Sequence, residues 1–204
     1  MAAWLSRFLP ILSPTWGNAP PFNPSASSIQ IAPSKPCLEH RVGQGISAIH
    51  FDGMHVWTGG ADALVNLRSA DTLEVLANLS LKDASPPDSS RELRASYKIS
   101  SLFATPRFIF AGTDAGIIEV WERDTLRRQC FPLRLPAWNY IVYLCGNDKL
   151  LVGAHYEENS DLAVWDLSLH AMQWREQGLV KSISTKRFNI HCVAMTTALL
   201  FVGH

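Results

Sequence analysis

One spacing recurs along the chain and restricts what it can fold into. An isoleucine stands thirteen residues before a glycine in 46–59 (ISAIHFDGMHVWTG), in 99–112 (ISSLFATPRFIFAG) and in 190–203 (IHCVAMTTALLFVG). A further segment, 141–153 (IVYLCGNDKLLVG), has the same plan and reads one residue shorter. Each segment is an apolar strand, a turn of polar or small residues, a second apolar strand and a glycine. The best-preserved unit continues through 108–126, where Gly112, Thr113, Asp114, Ala115 and Gly116 separate a pair of apolar runs. Gly and Asp suit such a turn because they tolerate left-handed backbone angles. β-branched and aromatic residues suit the flanking strands.

The match runs on past the glycine. Trp121 lies nine residues after Gly112, and Arg68 lies nine after Gly59, so RSADTL (68–73) aligns with WERDTL (121–126). In the third copy HYEENSD lengthens the turn before Trp165, and DLAVWDLSL (161–169) restores the pattern. A fourth strand is predicted at 74–80, 127–133 and 171–177. The glycines recur at intervals of 53, 41 and 50 residues, and repeats of roughly 40–45 residues with four short strands are the signature of propeller blades, the longer intervals carrying inserted loops. The apolar runs fit, because a blade covered on both faces need not alternate as a solvent-faced sheet does. The predicted fold is therefore all-β: propeller blades of four-stranded antiparallel sheets at 46–81, 99–134 and 140–179, with a partial blade at 190–204. Closed rings take about 4–8 blades, so the ring is expected to be incomplete. The missing blades are expected from the rest of a longer chain or from another chain. Residues 82–97 and 180–187, rich in charge and Ser, read as loops between blades.

Two segments, AGTDAGIIEVWE (111–122) and DLAVWDL (161–167), resemble the turn, Ile-x-x-Trp strand and Trp-Asp ending of the WD-repeat family of β-propellers. The resemblance covers 46–204. Trp165-Asp166 is the true dipeptide and Trp121-Glu122 a near match. The strand form ending Leu/Ile-Phe-x-Gly also resembles the WD-repeat ends of certain ubiquitin ligases and myosin heavy-chain kinases. Departures are equally clear. Arg68 replaces the first Trp. The turn Asp of the family is matched by Asp62 but is Ala115 in the second copy. The Asp-His-Ser-Trp hydrogen-bond network of the family is mostly missing, which implies blades held by apolar packing.

Residues 1–40 differ from the remainder: Pro- and Ser-rich, with no acidic residue before Glu39. A secretory signal is interrupted by Arg7 and Pro10, and a transit peptide would carry more arginine. A partly disordered tail with a short docking segment at 4–12 fits better. Ile29-Gln30-Ile31 alternates as a strand would. Lys plus Arg number 18 and Asp plus Glu 18. That balance gives no reason to expect nucleic acid or an anionic membrane as partner. No apolar run reaches the roughly 20 residues of a membrane span. Cys37, Cys130, Cys145 and Cys192 show no paired spacing and read as small hydrophobes in a reducing compartment. A cytoplasmic location is expected, with organelle targeting through the acid-free N-terminus as the alternative.

The histidines form no H-E-x-x-H motif and stand at no metal-ligand spacing to a cysteine. His155 with Glu157, Glu158 and Asp161 is the densest polar cluster and reads as a solvated inserted turn. Trp57, Trp121, Trp165 and Trp174 read as blade packing, and Trp138 as a loop residue. No catalytic, metal or cofactor residue is assigned, and no cofactor is expected. Residues just before each first strand, Gln44, Tyr97, Asn139 and Phe188, with Trp138 and Arg187 beside them, fall on one rim. Turn residues Asp62, Asp114 and Glu157 face the same side. The expected function is a non-catalytic protein-protein interaction scaffold using this rim, in one form the recognition part of a ubiquitin ligase. The alternative is a propeller hydrolase with a central-channel site. The first strands offer it mainly Ser47 and Ser100.

Overall fold

The computed structural model describes residues 45–81, 98–129, 132–134, 140–155, 161–170, 173–174, 178–184, 190–197 and 199–203. The chain divides into two units, Met1–Glu39 and His40–His204, and every described strand lies in the second. The expected tail at 1–40 and the whole of the 82–97 loop lie outside the described residues.

Antiparallel strands follow one another in chain order in each of four sheets. Sheet 1 is β1 (Ile46–Phe51), β2 (His55–Gly60), β3 (Leu64–Ser69) and β4 (Val75–Ser80). Sheet 2 is β5 (Ile99–Ala104), β6 (Phe108–Thr113), β7 (Ile117–Glu122) and β8 (Leu133–Arg134). Sheet 3 is β9 (Ile141–Gly146), β10 (Leu150–His155), β11 (Asp161–Asp166) and β12 (Leu179–Ser184). Sheet 4 has β13 (Cys192–Met195) and β14 (Leu200–Gly203). The first strands lie side by side, β1 against β5, β5 against β9 and β9 against β13. Successive sheets are thereby stacked face to face around the line of first strands.

Burial explains the unbroken apolar runs. Every residue of β6 is buried, because its odd and even side chains enter different interfaces. Ile109 and Ala111 join Trp57, Val65 and Leu79 between sheets 1 and 2. Phe108 and Phe110 join Ile141, Leu151 and Trp165 between sheets 2 and 3. Val152, Ala154, Leu162 and Ile190 form the third interface. Trp57, Trp121, Trp165 and Trp174 are all buried, as the spacing predicts. Trp138 lies outside the described residues.

The repeated glycine owes its place to these interfaces. A Cβ on Gly59 would sit 2.5 Å from Cγ2 of Ile99, and one on Gly112 would sit 2.6 Å from Cγ2 of Ile141. The isoleucine heading each sheet thus fills a notch that the previous sheet opens by lacking a side chain. In sheet 3 the structure corrects the expected anchor. Ala154 pairs with Leu162 and faces Ile190, as Gly112 pairs with Ile118 and faces Ile141. Gly153 is on the opposite face, paired with Ala163. The isoleucine-to-anchor spacing is therefore thirteen in every copy, with alanine as the third anchor. A one-residue slip exchanges the two faces of a strand, so the shorter count read from Gly153 assigns it to the wrong interface.

Two further expectations change. The fourth strand of sheet 3 is not 171–177 but Leu179–Ser184, so the segment read as a loop at 180–187 is mostly strand. Trp174 is the cause. Its ring lies 4.7 Å edge-on to Phe108 and 6.0 Å from Phe110, and its Nε1 donates to Leu169 O at 3.0 Å. The chain reverses there, closed by Gly178 N donating to Trp174 O at 3.1 Å. A Cβ on Gly178 would lie 2.6 Å from Trp174 Cα, so the turn needs glycine. In sheet 2 the expected strand at 127–133 reduces to a bridge from Arg128 to Trp121 and the two-residue β8. The shared Asp-Thr-Leu of 71–73 and 124–126 is a turn whose leucines, Leu73 and Leu126, take left-handed angles of φ 58 and 55. That conformation completes a type I turn with a bulge.

Candidate functional site

The sheet stack has two edges. One carries the starts of the first strands and the turns from second to third strand. Of the predicted rim residues, Asp62 and Asp114 are described there; Gln44, Tyr97, Trp138, Asn139, Arg187 and Phe188 lie outside the described residues, as does Glu157. Asp62 Oδ1 accepts from Leu64 N at 3.2 Å, and Asp114 Oδ1 accepts from Lys98 N at 3.1 Å. Asp114 N also donates to Lys98 O at 3.0 Å. Both carboxylates hold backbone at this edge, Asp62 within its turn and Asp114 against the approach to β5.

The first strands carry Ser47 and Ser100, and the structure places both hydroxyls in the joints between sheets. Ser47 Oγ donates to Ile99 O and Ser100 Oγ to Ile141 O, the carbonyls of the notch-filling isoleucines. Ser101 Oγ accepts from Leu144 N at 2.8 Å. These side chains staple neighbouring sheets. The Ser47 and Ser100 hydroxyl protons are given to backbone carbonyls, not to a general base of the kind that a serine nucleophile needs.

The opposite edge holds a regular set of groups that motif matching does not single out. Six residues after each heading isoleucine stands a side chain with an oxygen: Asp52, Thr105, Asn147 and Thr196. Asp52 Oδ1 accepts from Met54 N at 2.9 Å and His55 N at 2.8 Å. Thr105 Oγ1 accepts from Phe108 N at 3.0 Å, Asn147 Oδ1 from Leu150 N at 2.9 Å, and Thr196 Oγ1 from Leu199 N at 3.0 Å. Asx and Ser/Thr turns are made in this way, and the fixed offset of six is the signal that exposes them.

Asp52 does more than cap its turn. Its side chain is 3% exposed. Oδ2 accepts from Trp57 Nε1 at 2.7 Å and pairs with Arg123 Nη2 at 2.8 Å. Arg123 directly follows β7 of sheet 2, and there its Nη1 donates to Thr105 O at 3.3 Å and its backbone N to Arg107 O at 2.8 Å. Sheets 1 and 2 are latched through this pair. Burial acts to raise the Asp52 pKa, but the bonds from Trp57, Met54 and His55 and the Arg123 charge outweigh it and hold the carboxyl below its usual value. In sheet 1 Arg68 stands where sheets 2 and 3 have Trp121 and Trp165, and is buried. Its Nε donates to Thr58 Oγ1 at 3.2 Å and its Nη1 to Leu73 O at 2.9 Å.

His50 projects into the same interface, edge-on to Phe103 at 5.4 Å. Burial lowers its pKa; Asp52 acts against this and Arg123 with it. A folded-state value below the unfolded one makes protonation oppose folding, so stability falls as pH drops below about 6.5. His50→Leu is expected to flatten that part of the profile in denaturant unfolding between about pH 5 and 7. An unchanged slope in the variant would exclude His50 as its source.

Between sheets 2 and 3, on the same edge, lies a recess of about 130 Å³ lined by Thr105, Pro106, Arg107, Phe108, Asp148 and Leu167. The Arg107 guanidinium stands 5.1 Å from the Phe108 ring centroid. Small-molecule sites occupy roughly 300–1,000 Å³, so this recess has room for one side chain. His155, expected in a solvated turn, is buried at the end of β10; Glu157 and Glu158 lie outside the described residues. No cluster able to hold a metal ion occurs among the described residues. Cys145 is partly buried, and burial pushes its thiol up to about 11. Cys192 is exposed, against the expectation of burial, because it sits on the outer face of sheet 4. No helix among the described residues is long and apolar enough to cross a membrane.

No protein-family model and no curated protein matches the sequence. Solved structures do. The structure of U3-55K aligns with a TM-score of 0.58 at 12% identity, over 77% of this chain and 44% of that one. The RRP9 WD40 repeats align at 0.57 and 12%, over 77% and 43%. The fold is that of WD40 propeller blades. Designed proteins share it: Ika4 aligns at 0.57 and 15%, over 80% of this chain and 87% of that one, and Ika8 at 0.55 and 16%, over 78% and 42%. The chain thus spans less than half the length of U3-55K, the RRP9 repeats and Ika8. Its described blades form an unclosed ring.

Proposed function

We propose that the chain is a non-catalytic scaffold that binds other proteins through the edges of its blades. The observation that carries this reading is the recess between the second and third blades. An exposed Arg107 lies over Phe108 there, with Asp148 and Leu167 lining the recess beside them. Arginine and aromatic groups around a small apolar recess are the usual anchors of protein interfaces. A recess of this size suits one inserted side chain of a partner. The bonded state of Ser47 and Ser100 weighs against a channel hydrolase, since it engages the hydroxyls such an enzyme would use. Recognition within a larger complex, a ubiquitin ligase among them, is the same reading with the substrate as partner.

Peptide display against the 204-residue chain tests it. Selected peptides are expected to lose at least about tenfold in affinity with Arg107→Glu, the change expected from losing an interface anchor. The β circular-dichroism spectrum should be unaltered, since Arg107 is exposed. Peptides that bind the variant equally well would move the site away from the recess. Equal loss with Asp62→Ala or Asp114→Ala would point to the other edge.

A further inference from the structure

Two charges of opposite sign line the recess between sheets 2 and 3: Arg107 from the turn between β5 and β6, and Asp148 from the turn between β9 and β10. Both residues are exposed. They lie too far apart to pair with each other, and neither side chain has an ion pair or a hydrogen bond among the described residues. Asp148 differs in this from Asp52, Asp62 and Asp114, whose carboxylates all hold backbone. In its turn that role falls to Asn147, whose Oδ1 accepts from Lys149 N at 2.8 Å and from Leu150 N at 2.9 Å. The Asp148 carboxylate is left over.

The backbone beneath both groups is fixed. Thr105 Oγ1 accepts from Arg107 N at 3.3 Å, and Arg107 O accepts from Arg123 N at 2.8 Å. Leu167 N donates to Lys149 O at 2.7 Å, which ties the Leu167 wall to the turn carrying Asp148. Phe108 is buried, its ring held edge-on by Trp174. Pro106, Phe108 and Leu167 supply the apolar lining. A recess built in this way has little left to order when a partner arrives. The two charges decide what fits it. A carboxylate side chain would pair with Arg107 and be repelled by Asp148, and a lysine or arginine would do the reverse. An aliphatic or phenylalanine side chain would cover the Asp148 charge and leave it without a partner. A side-chain amide would bond to both groups but offers little apolar surface to Pro106, Phe108 and Leu167. A phenol has an apolar body with a polar tip.

From these two unpaired, opposite charges around one apolar recess we infer that the residue it takes from a partner protein is a tyrosine. The ring lies along Pro106 and Leu167 and against the Arg107 guanidinium, adding a second cation–π contact to the one made with Phe108. The hydroxyl donates to the Asp148 carboxylate, a charge-assisted bond. The inference rests on the recess being a partner-binding site and specifies the side chain that enters it.

Random peptides displayed against the full chain supply the probe. Those that lose affinity with Arg107→Glu are expected to share a tyrosine. Replacing that tyrosine by phenylalanine should weaken them about tenfold or more, the effect of one hydrogen bond to a charged group. Against Asp148→Ala, a change at an exposed turn position, the tyrosine and phenylalanine peptides should bind equally. Selection against Asp148→Lys should replace tyrosine by Glu or Asp, because two cations then line the recess. A phosphotyrosine peptide should bind the unmodified chain more weakly than its tyrosine parent, since the phosphate meets Asp148. Three results would overturn the tyrosine while leaving the recess as the binding site: Arg107-dependent peptides with no tyrosine in common, a loss on phenylalanine replacement that is absent or persists in Asp148→Ala, or tighter binding of the phosphotyrosine peptide. No binder at all, or binders indifferent to Arg107→Glu, would overturn both the tyrosine and the recess.

Discussion

Gly112→Val is expected to lower the unfolding free energy by about 1–3 kcal/mol, the range for forcing methyl groups into a packed core. The first added carbon would already lie 2.6 Å from Ile141 Cγ2 and 3.0 Å from its Cβ. Ile141 cannot yield, because it is fully buried and its carbonyl takes the Ser100 staple. Sheets 2 and 3 must separate, loosening Phe110, Leu151 and Trp165 at once. A second substitution distinguishes this cause from a loss of backbone freedom. Ile141→Ala removes the colliding methyl, so Gly112→Ala combined with Ile141→Ala should cost less than the sum of the two single changes. Residues in contact are expected to couple in this way by about 0.5–3 kcal/mol. Strict additivity in chemical denaturation would show that the glycine serves the strand itself rather than the notch. The third interface supplies an internal control: Ala154 and Ile190 coexist there, so Ala154→Gly should open a gap and destabilise rather than relieve a clash.

This notch explains why so much of the fold is legible in the sequence. A glycine faced by the isoleucine of the next sheet cannot drift, and the isoleucine thirteen residues before the glycine cannot either where it fills the notch of the sheet before, as Ile99 fills that of Gly59. The spacing survives where the Trp-Asp ending, the histidines and the turn Asp have changed. The pattern misleads where composition and geometry diverge. Gly153 has the composition of an anchor, while Ala154 holds the register. Trp174 has the size and apolarity of a strand residue; its burial against Phe108 comes from a reversal of the chain, a tertiary contact with no local trace. The candidate site is less legible. Asp62 and Asp114 have the pattern of exposed turn carboxylates, yet their oxygens are bonded to nearby backbone. Asp52 belongs to no residue-type motif, although it shares the offset of six with Thr105, Asn147 and Thr196. The side-chain type varies while the acceptor atom does not, and matching residue names misses a repeat carried by one oxygen. The recess at Arg107 needs two sheets to exist, so no single repeat discloses it.

That shared position makes the second large effect separable into its contributions. Asp52→Ala is expected to cost about 3–5 kcal/mol, as when one partner of a buried ion pair is removed, with partial exposure of Arg123 drawing the value toward the lower end. The alanine leaves Trp57 Nε1, Arg123 and two backbone N–H groups without their acceptor. Asp52→Asn should be milder, about 1–2 kcal/mol, since an amide oxygen can keep neutral hydrogen bonds as Asn147 does in sheet 3. The difference between the two variants then measures turn capping, and what the asparagine still loses measures the latch between sheets 1 and 2. Acid separates the same contributions. The folded carboxyl sits below its unfolded value of 3.8, so its contribution is fully present above that pH and is lost as pH falls through the lower folded value. Wild type should therefore lose stability below about pH 4 in a way that Asp52→Asn does not share. Parallel acid profiles for the two proteins would mean that the charge at Asp52 does not hold the sheets together, and that the node acts through its hydrogen bonds alone.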